Sequence, residues 1–207
     1  MRSRGRKLRC GAQRWREECG AQLVEFAVAL PLLVVFVVGI FDFSGAFTIK
    51  QKLTNVAREA ARVAAADPSS DIPSPSTAVP ASVADAYQLL ASYFTANHLN
   101  ICGVTSASST YTAPETWTYS GASGGCPGSG LTIIINRGYS FPETSSSPTP
   151  STTCASQTVG SQTAVIGTCV SIQYAYHWRF GNVASLLGSA AVLPSTLSVT
   201  AVAINEN

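Results

Sequence analysis

The stretch GAQLVEFAVALPLLVVFVVGIFDFSGAFTIKQKLTNVAREAARVAAA, residues Gly20 to Ala66, decides how this chain of 207 residues is organised. Its first half, from Leu23 to Phe41, has nineteen residues with Glu25 as the only charge. A helix of that length measures about 28 Å, close to the hydrocarbon thickness of a bilayer. No second run of this kind occurs in the sequence, so we expect a single membrane span.

Charge is distributed unevenly around this span, although the formal net charge is only +2. Seven bases precede it, namely Arg2, Arg4, Arg6, Lys7, Arg9, Arg14 and Arg16. From Asp67 onward six acids face only Arg137 and Arg179. Basic flanks stay in the cytoplasm, which predicts a cytoplasmic amino terminus and an exported remainder. A basic arm can also bind nucleic acid, but beside an apolar span a topology signal is favoured, and we expect no nucleic-acid partner.

The second half of the stretch continues as an amphipathic helix. An apolar stripe recurs at four-three spacing, made of Ile49, Leu53, Val56, Ala60 and Val63, while Lys52, Arg58, Glu59 and Arg62 can face away. No small-residue signal-peptidase site interrupts the two halves. We therefore expect one helix of about 44 residues, ended by the prolines of the segment Asp67–Pro80.

The remainder predicts a short helix followed by strands. Ser82 is the predicted N-cap of a helix to about Asn97, whose aromatic residues Tyr87, Tyr93 and Phe94 have the spacing of core residues. Four strands are predicted at Glu115–Tyr119, Leu131–Ile135, Cys169–Phe180 and Thr196–Ile204, the last two with period-two alternation. The segment SFPETSSSPTPSTTCASQT between the second and third has the composition of a flexible loop. The expected fold class is α+β, with a small antiparallel sheet against which a helix packs.

These patterns divide the chain into four parts. We expect a basic cytoplasmic leader at 1–20, the membrane and amphipathic helix at 21–66, a Pro/Ser linker at 67–81 and an exported α+β domain at 82–207.

Six cysteines follow the same division. Cys10 and Cys19 precede the span, whereas four lie in the part expected to be exported, where disulfides persist: Cys102, Cys126, Cys154 and Cys169. Of the three connectivities, we favour the sequential one, because it closes a glycine-rich loop and a Ser/Thr/Pro-rich loop. Zinc is a weak alternative, since no C-x-x-C or Cys/His cluster is present, and we expect no metal or other cofactor.

Glu25 needs an explanation, because a lone carboxylate inside lipid costs roughly 2.5 to 3.5 kcal/mol at the centre of a span and less near an end. Its side chain can extend to the interface, or it can have a partner. Its position five residues after Gly20, followed by Phe26, resembles the processing site of prepilins, in which a membrane peptidase cuts after the glycine. Cleavage before Ala21 would create an ammonium there, and in pilins such an amine meets the acid of a neighbouring subunit.

The wider stretch has a recognisable order of motifs: Gly20, Glu25-Phe26, Leu30-Pro31, Gly39, Asp42-Phe43 and the run from Leu53 to Arg62, which includes Asn55, Arg58, Glu59 and Arg62. In these residues it resembles the TadE-like family, minor pseudopilins of the tight-adherence (Flp, type IVb) pilus systems. The resemblance implies a single-pass membrane protein, cut by a prepilin peptidase and needed for pilus assembly. The implied partners are other pilin and pseudopilin subunits, the peptidase, and the inner-membrane platform or secretin. The subunit either stays in the membrane or is incorporated in the pilus.

Two polar or helix-breaking positions have simpler interpretations. Pro31 removes one backbone hydrogen bond and can kink the span for packing against neighbouring helices. Asp42 marks the outer interface, where it is either hydrated or paired with a base of a neighbouring subunit.

Catalysis is not expected. His98 and His177 lie outside metal and triad motifs, and no nucleophile elbow or phosphate-binding loop occurs. The alternative to a pilus subunit is a signal-anchored domain that binds a ligand or mediates adhesion. A lipoprotein is a lesser variant, because Cys19 precedes the apolar run rather than following it.

Overall fold

The fold joins one long helix to a small antiparallel sheet. The computed structural model describes residues 12–72, 78–143, 150–179 and 194–206. Helix α1 covers Ala12–Ala66 and helix α2 covers Ala81–Ala96. The strands are β1 Ser109–Thr112, β2 Thr116–Gly121, β3 Leu131–Pro142, β4 Ala164–Ala175 and β5 Thr196–Ile204, with 3-10 turns at Ser69–Asp71 and Ser106–Ser108. The predicted α+β class is confirmed, and α1 begins at Ala12 rather than near Leu23.

The sheet is a meander in which each strand pairs antiparallel with the next one along the chain. Neighbours in sequence can pair in this way through short connections. Side chains in register form rows on one face, of which two examples are Trp117–Ile135–Val170–Ala201 and Tyr119–Ile133–Ile172–Val199. All eight of these residues belong to one buried hydrophobic cluster. The alternation predicted for the last two strands therefore does define the core face.

The second half of α1 packs against this face. Leu53, Val56 and Ala60 of the predicted stripe are fully buried, and Ile49 and Val63 are partly covered. Further alanines on the same side, Ala57, Ala61 and Ala64, are also buried. Side chains this small let the helix approach the sheet closely, so that this part of α1 belongs to the core of the domain.

Helix α2 completes the core, as its aromatic spacing predicts. Tyr87 stacks on Tyr119 with 4.4 Å between ring centroids, and Phe94 meets Tyr174 edge-on at 6.1 Å. Tyr93 is partly buried and also packs against the main cluster. The interpretation of these rings as core residues is confirmed.

The predicted start of α2 is wrong in detail. The helix begins at Ala81 with Pro80 at the N-cap position, and Ser82 is buried inside the first turn without a capping bond. Its backbone N–H instead donates to Asp71 Oδ2 at 2.9 Å. The carboxylate of Asp71 therefore supplies the acceptor that the serine was expected to provide.

Strand bounds also differ from the prediction. The four-residue edge strand β1 was missed, because STYT is short and polar. Strand β3 runs on to Pro142 through a bulge between Asn136 and Tyr139. Gly138 lies in that bulge, where a Cβ would collide with the carboxylate of Glu115.

Strand β4 lies further upstream than predicted, at Ala164–Ala175, and Tyr176 to Arg179 leave the sheet. Phe180, the predicted end of this strand, lies outside the described residues. The backbone of these four residues turns instead toward α1, where the Arg179 amide donates to Asp42 Oδ1.

A second, smaller cluster lies on the opposite face of the sheet. It contains Ile134, Tyr139 and Phe141 together with Cys154 and Cys169. The described part of the Ser/Thr/Pro-rich loop lies over this face, where the Thr152 carbonyl accepts a hydrogen bond of 2.6 Å from the Ser171 hydroxyl. Residues 144–149, which belong to the segment predicted to be flexible, lie outside the described residues.

Candidate functional site

The first half of α1 exposes large apolar side chains that a water-soluble domain would bury. Val28 is 73% exposed, Phe36 64% and Phe41 72%. The helix is long and apolar enough to cross a membrane from Gln22 onward, and it is the only such helix among the described residues. This half therefore has the properties of a single-pass membrane anchor.

The residues of the predicted processing and assembly site lie along the first half of α1. Gly20 and Ala21 are within the helix, and Glu25 follows just over one turn later on an exposed position. Phe26 is 62% exposed, and Pro31 sits inside the helix without ending it. The arrangement leaves the Glu25 carboxylate accessible for an ion pair with another chain.

Asp42 differs from these residues because its side chain is turned toward its own domain. It is only 8% exposed, and its Oδ1 accepts a hydrogen bond from the backbone N–H of Arg179 at 3.2 Å. The Tyr176 hydroxyl donates to the Asp42 carbonyl at 3.5 Å. Asp42 therefore joins the end of the apolar half of α1 to the segment that follows β4.

The polar residues of the motif run lie on the outer side of α1. Asn55, Arg58, Glu59 and Arg62 are all exposed, whereas Leu53 on the same run is fully buried. The run thus has two faces, with small apolar residues against the sheet and charged residues at the surface. The charged face is available to a partner.

The four cysteines of the part expected to be exported form two disulfides. Cys102 pairs with Cys126, and Cys154 pairs with Cys169. This is the sequential connectivity that the loop compositions favoured. Each bond fastens an irregular loop to the sheet or to the segment after α2.

Arg137 organises the far end of α1, and the sequence reasoning did not single it out. Its side chain is fully buried, and Nη1 donates to the Ala64 carbonyl and, at 3.1 Å, to Thr168 Oγ1. Nη2 donates to the Asp67 carbonyl at 2.9 Å. Carbonyls at a helix end lack partners within the helix and carry partial negative charge. A guanidinium at this end both donates hydrogen bonds to these carbonyls and places a positive charge beside them. One signal was available, namely a lone arginine inside the apolar strand LTIIINRGYSF.

The charge of Arg137 is balanced by neighbouring acids. Burial lowers the pKa of the guanidinium, and the carboxylates of Asp71, Asp67 and Glu115 offset only part of that lowering. The closest of these contacts is 3.7 Å, between Nη2 and Asp71 Oδ1. The segment after α1, predicted as a linker, is therefore tied to the sheet at Asp67 and Asp71.

Strand β4 and helix α1 run in opposite directions. Near the start of β4, the Thr168 hydroxyl accepts a hydrogen bond from Arg137, which also donates to the Ala64 carbonyl near the end of the helix. Just past the end of β4, Tyr176 reaches Asp42. The start of β4 therefore lies farther from the apolar half of α1 than the end of β4 does.

A cleft of about 740 Å³ lies where the apolar half of α1 meets the domain. Its helical wall contains Val38, Phe41, Asp42, Gly45 and Ile49. Its opposite wall contains Pro127, Tyr174, Ala175, Tyr176, His177 and Arg179. The helical wall is therefore apolar apart from Asp42, and the domain wall combines apolar residues with His177 and Arg179.

Metal-binding clusters of three or more His, Cys, Asp or Glu side chains are not found among the described residues. His98 and His177 are exposed and lie on different segments.

Residues 20–62 match the family model described as "TadE-like protein". The match begins at Gly20 and ends at Arg62, so it includes the exposed apolar half of α1 and the two-faced motif run. It confirms the resemblance to this family over that segment. Neither a curated protein nor a solved structure matches the chain.

Proposed function

We propose, from the premise that residues 20–62 of this chain are a TadE-like segment, that the protein is a minor pseudopilin needed to assemble a tight-adherence pilus. The family is associated with that pilus in general and is structural rather than enzymatic. The carrying observation is that the TadE-like segment is one continuous helix with an exposed apolar half and a half buried in the domain core. Such a helix ties a domain directly to a membrane or a fibre.

Glu25 is the residue proposed to direct assembly. A cut between Gly20 and Ala21 would make it the fifth residue of the mature chain, just over one turn from a new ammonium. In a low-dielectric environment opposite charges attract strongly, so the carboxylate of one subunit and the amine of the next would set their relative register. Phe26 and Pro31, exposed on the same half, would shape the packing between stems.

The remaining parts have roles that follow from this arrangement. The basic leader at 1–20 would stay in the cytoplasm and be removed by the prepilin peptidase. The stem at 21–66 would pack with other pilin and pseudopilin subunits. The segment 67–81 would join it to the domain at 82–207, which would meet the inner-membrane platform or the secretin with its outer surface.

In addition to the outer surface of the domain, the charged face of α1 is a second proposed contact for the platform or the secretin. Arg58, Glu59 and Arg62 are exposed on a rigid helix, which suits recognition through charge complementarity. Asn55 lies on the same exposed side.

Pilus assembly in cells tests this function. Glu25→Ala is expected to abolish or strongly reduce piliation, because the register signal is lost while the helix is retained. Asp85→Ala is the matched control, since it removes an exposed carboxylate from α2 and should leave piliation at the parent level. Normal pili with Glu25→Ala would favour the alternative, a signal-anchored domain that binds a ligand or mediates adhesion.

A further inference from the structure

The cleft lies at the depth where the anchor would leave the membrane. The apolar run Leu23–Phe41 matches the hydrocarbon thickness, so Asp42 falls at its boundary. Along α1 the cleft extends from Val38 to Ile49, about 16 Å at 1.5 Å per residue. The headgroup layer is roughly 5 to 8 Å thick. The cleft therefore begins beside the acyl chains and passes through the headgroup layer.

The chemistry of the walls changes in the same order. Val38 and Phe41, at the deep end, are apolar. Tyr176, His177 and Arg179 lie on the domain side, where His177 and Arg179 are exposed. The Tyr176 hydroxyl donates to the Asp42 carbonyl, which joins this wall of the cleft to α1. An apolar deep end beside an exposed cation, Arg179, matches the chain and phosphate of a lipid. Asp42 also lines the cleft, and its Oδ1 accepts a hydrogen bond from the Arg179 amide.

The domain wall of the cleft is held in place by specific contacts. The Trp178 ring lies 5.7 Å from Phe43 and 5.0 Å from Tyr176, measured between centroids. Its Nε1 donates to the Pro194 carbonyl at 2.8 Å. The amide of Arg179 is fixed by Asp42 Oδ1. Tyrosine and tryptophan with this mixture of apolar and hydrogen-bonding contacts are typical of the membrane–water interface.

We propose that this cleft binds one phospholipid of the leaflet on the domain side, with acyl chain against Val38 and Phe41 and phosphate beside Arg179. A volume of about 740 Å³ is within the usual range of ligand sites. Guanidinium groups bind phosphate through charge-assisted hydrogen bonds. The bound lipid would seat the domain at a defined height above the membrane. This inference rests on the membrane span and is independent of the proposed pilus role.

Site-specific photocrosslinking in the full chain tests the site. His177 is replaced by photoreactive benzoylphenylalanine, and the protein is reconstituted in vesicles of phosphatidylethanolamine and phosphatidylglycerol that contain a radiolabelled phospholipid. Illumination is expected to produce a radiolabelled protein adduct. The matched control carries the same group at Ala164, which is exposed at the opposite end of β4 and should give only background label.

Charge variants in the His177-labelled protein test the phosphate contact. Arg179→Gln is expected to lower the adduct yield about three- to five-fold, the weight of one exposed ion pair. Lys50→Gln removes an exposed cation from α1 that does not line the cleft, and the yield should stay at the parent level.

Three results would overturn the proposal. The first is an adduct at position 177 no stronger than at position 164. The second is a crosslink from position 177 to a second copy of the chain in place of lipid. The third is equal adduct yield in Arg179→Gln and its parent. Piliation of the Glu25→Ala strain is a separate readout, so the two proposals can fail independently.

Discussion

Replacing Arg137 with methionine is expected to lower the free energy of unfolding by about 3–5 kcal/mol, the usual cost of removing one partner from a buried ionic network. Methionine retains much of the side-chain volume but donates no hydrogen bond. The carbonyls of Ala64 and Asp67 then lose the donors that Arg137 supplies. Each buried acceptor left without a partner costs about 1–3 kcal/mol, so two of them account for most of the expected loss.

Denaturant titration of the full chain in mild detergent measures this effect. Near-ultraviolet circular dichroism reports the packed rings of the core, among them Trp117 and Tyr119, which are each 1% exposed. Arg62→Met is the matched control, because this arginine is exposed on α1 and its replacement should change stability by less than about 0.5 kcal/mol. A loss below about 1 kcal/mol for Arg137→Met would show that the buried guanidinium does not hold the end of α1 to the sheet.

Three further changes test other parts of the core, by the same titration. Leu53→Ala should lower the free energy of unfolding by about 2–5 kcal/mol, since the Leu53 side chain is fully buried. Leu23→Ala should lower it little, because Leu23 is 68% exposed. Equal losses would contradict the division of α1 into an exposed half and a buried half. Burial and the neighbouring Tyr87 raise the pKa of Tyr119 to about 12 from its ordinary 10.0. The free energy of unfolding should therefore fall between pH 10 and 12, by at most about 3 kcal/mol. The same dependence of stability on pH in the parent and in Tyr119→Phe would contradict this. Replacing both Cys154 and Cys169 with serine should cost about 3 kcal/mol, because their bond closes a 15-residue separation, and an unchanged midpoint would show that the bond adds no stability.

Local periodicity explains why much of the fold was predictable. The stripe through Leu53, Val56 and Ala60 and the alternation in β4 and β5 each depend on residues close in sequence. Burial then follows from simple patterning, since an apolar stripe and an apolar strand face have to cover one another. The core positions of Tyr87 and Phe94 were predictable for the same reason.

The features that were missed depend on contacts between distant residues. Arg137 reaches Ala64 across 73 positions, and Arg179 reaches Asp42 across 137. The local spacing of apolar residues does not predict which distant residues form such pairs. The early end of β4 has the same origin. Tyr176 still packs against the main cluster, but its hydroxyl contacts α1 at the Asp42 carbonyl.

The proposed assembly site differs again, because its chemistry would arise only between chains. Glu25 is exposed in the single chain, and its suggested partner is an amine that forms after processing. The sequence spacing from Gly20 to Glu25 suggested the site, whereas the fold of one copy provides only the exposure that the site requires.

The most direct test is the mass and amino-terminal sequence of the membrane-extracted protein, from cells with and without the cognate prepilin peptidase. A start at Ala21 that depends on the peptidase is expected, and Gly39→Ala should leave it unchanged, since a Cβ at Gly39 meets nothing within 4 Å. Gly20→Ala should retain the leader. A chain that keeps its leader in both strains would contradict the pseudopilin proposal and favour a signal-anchored domain.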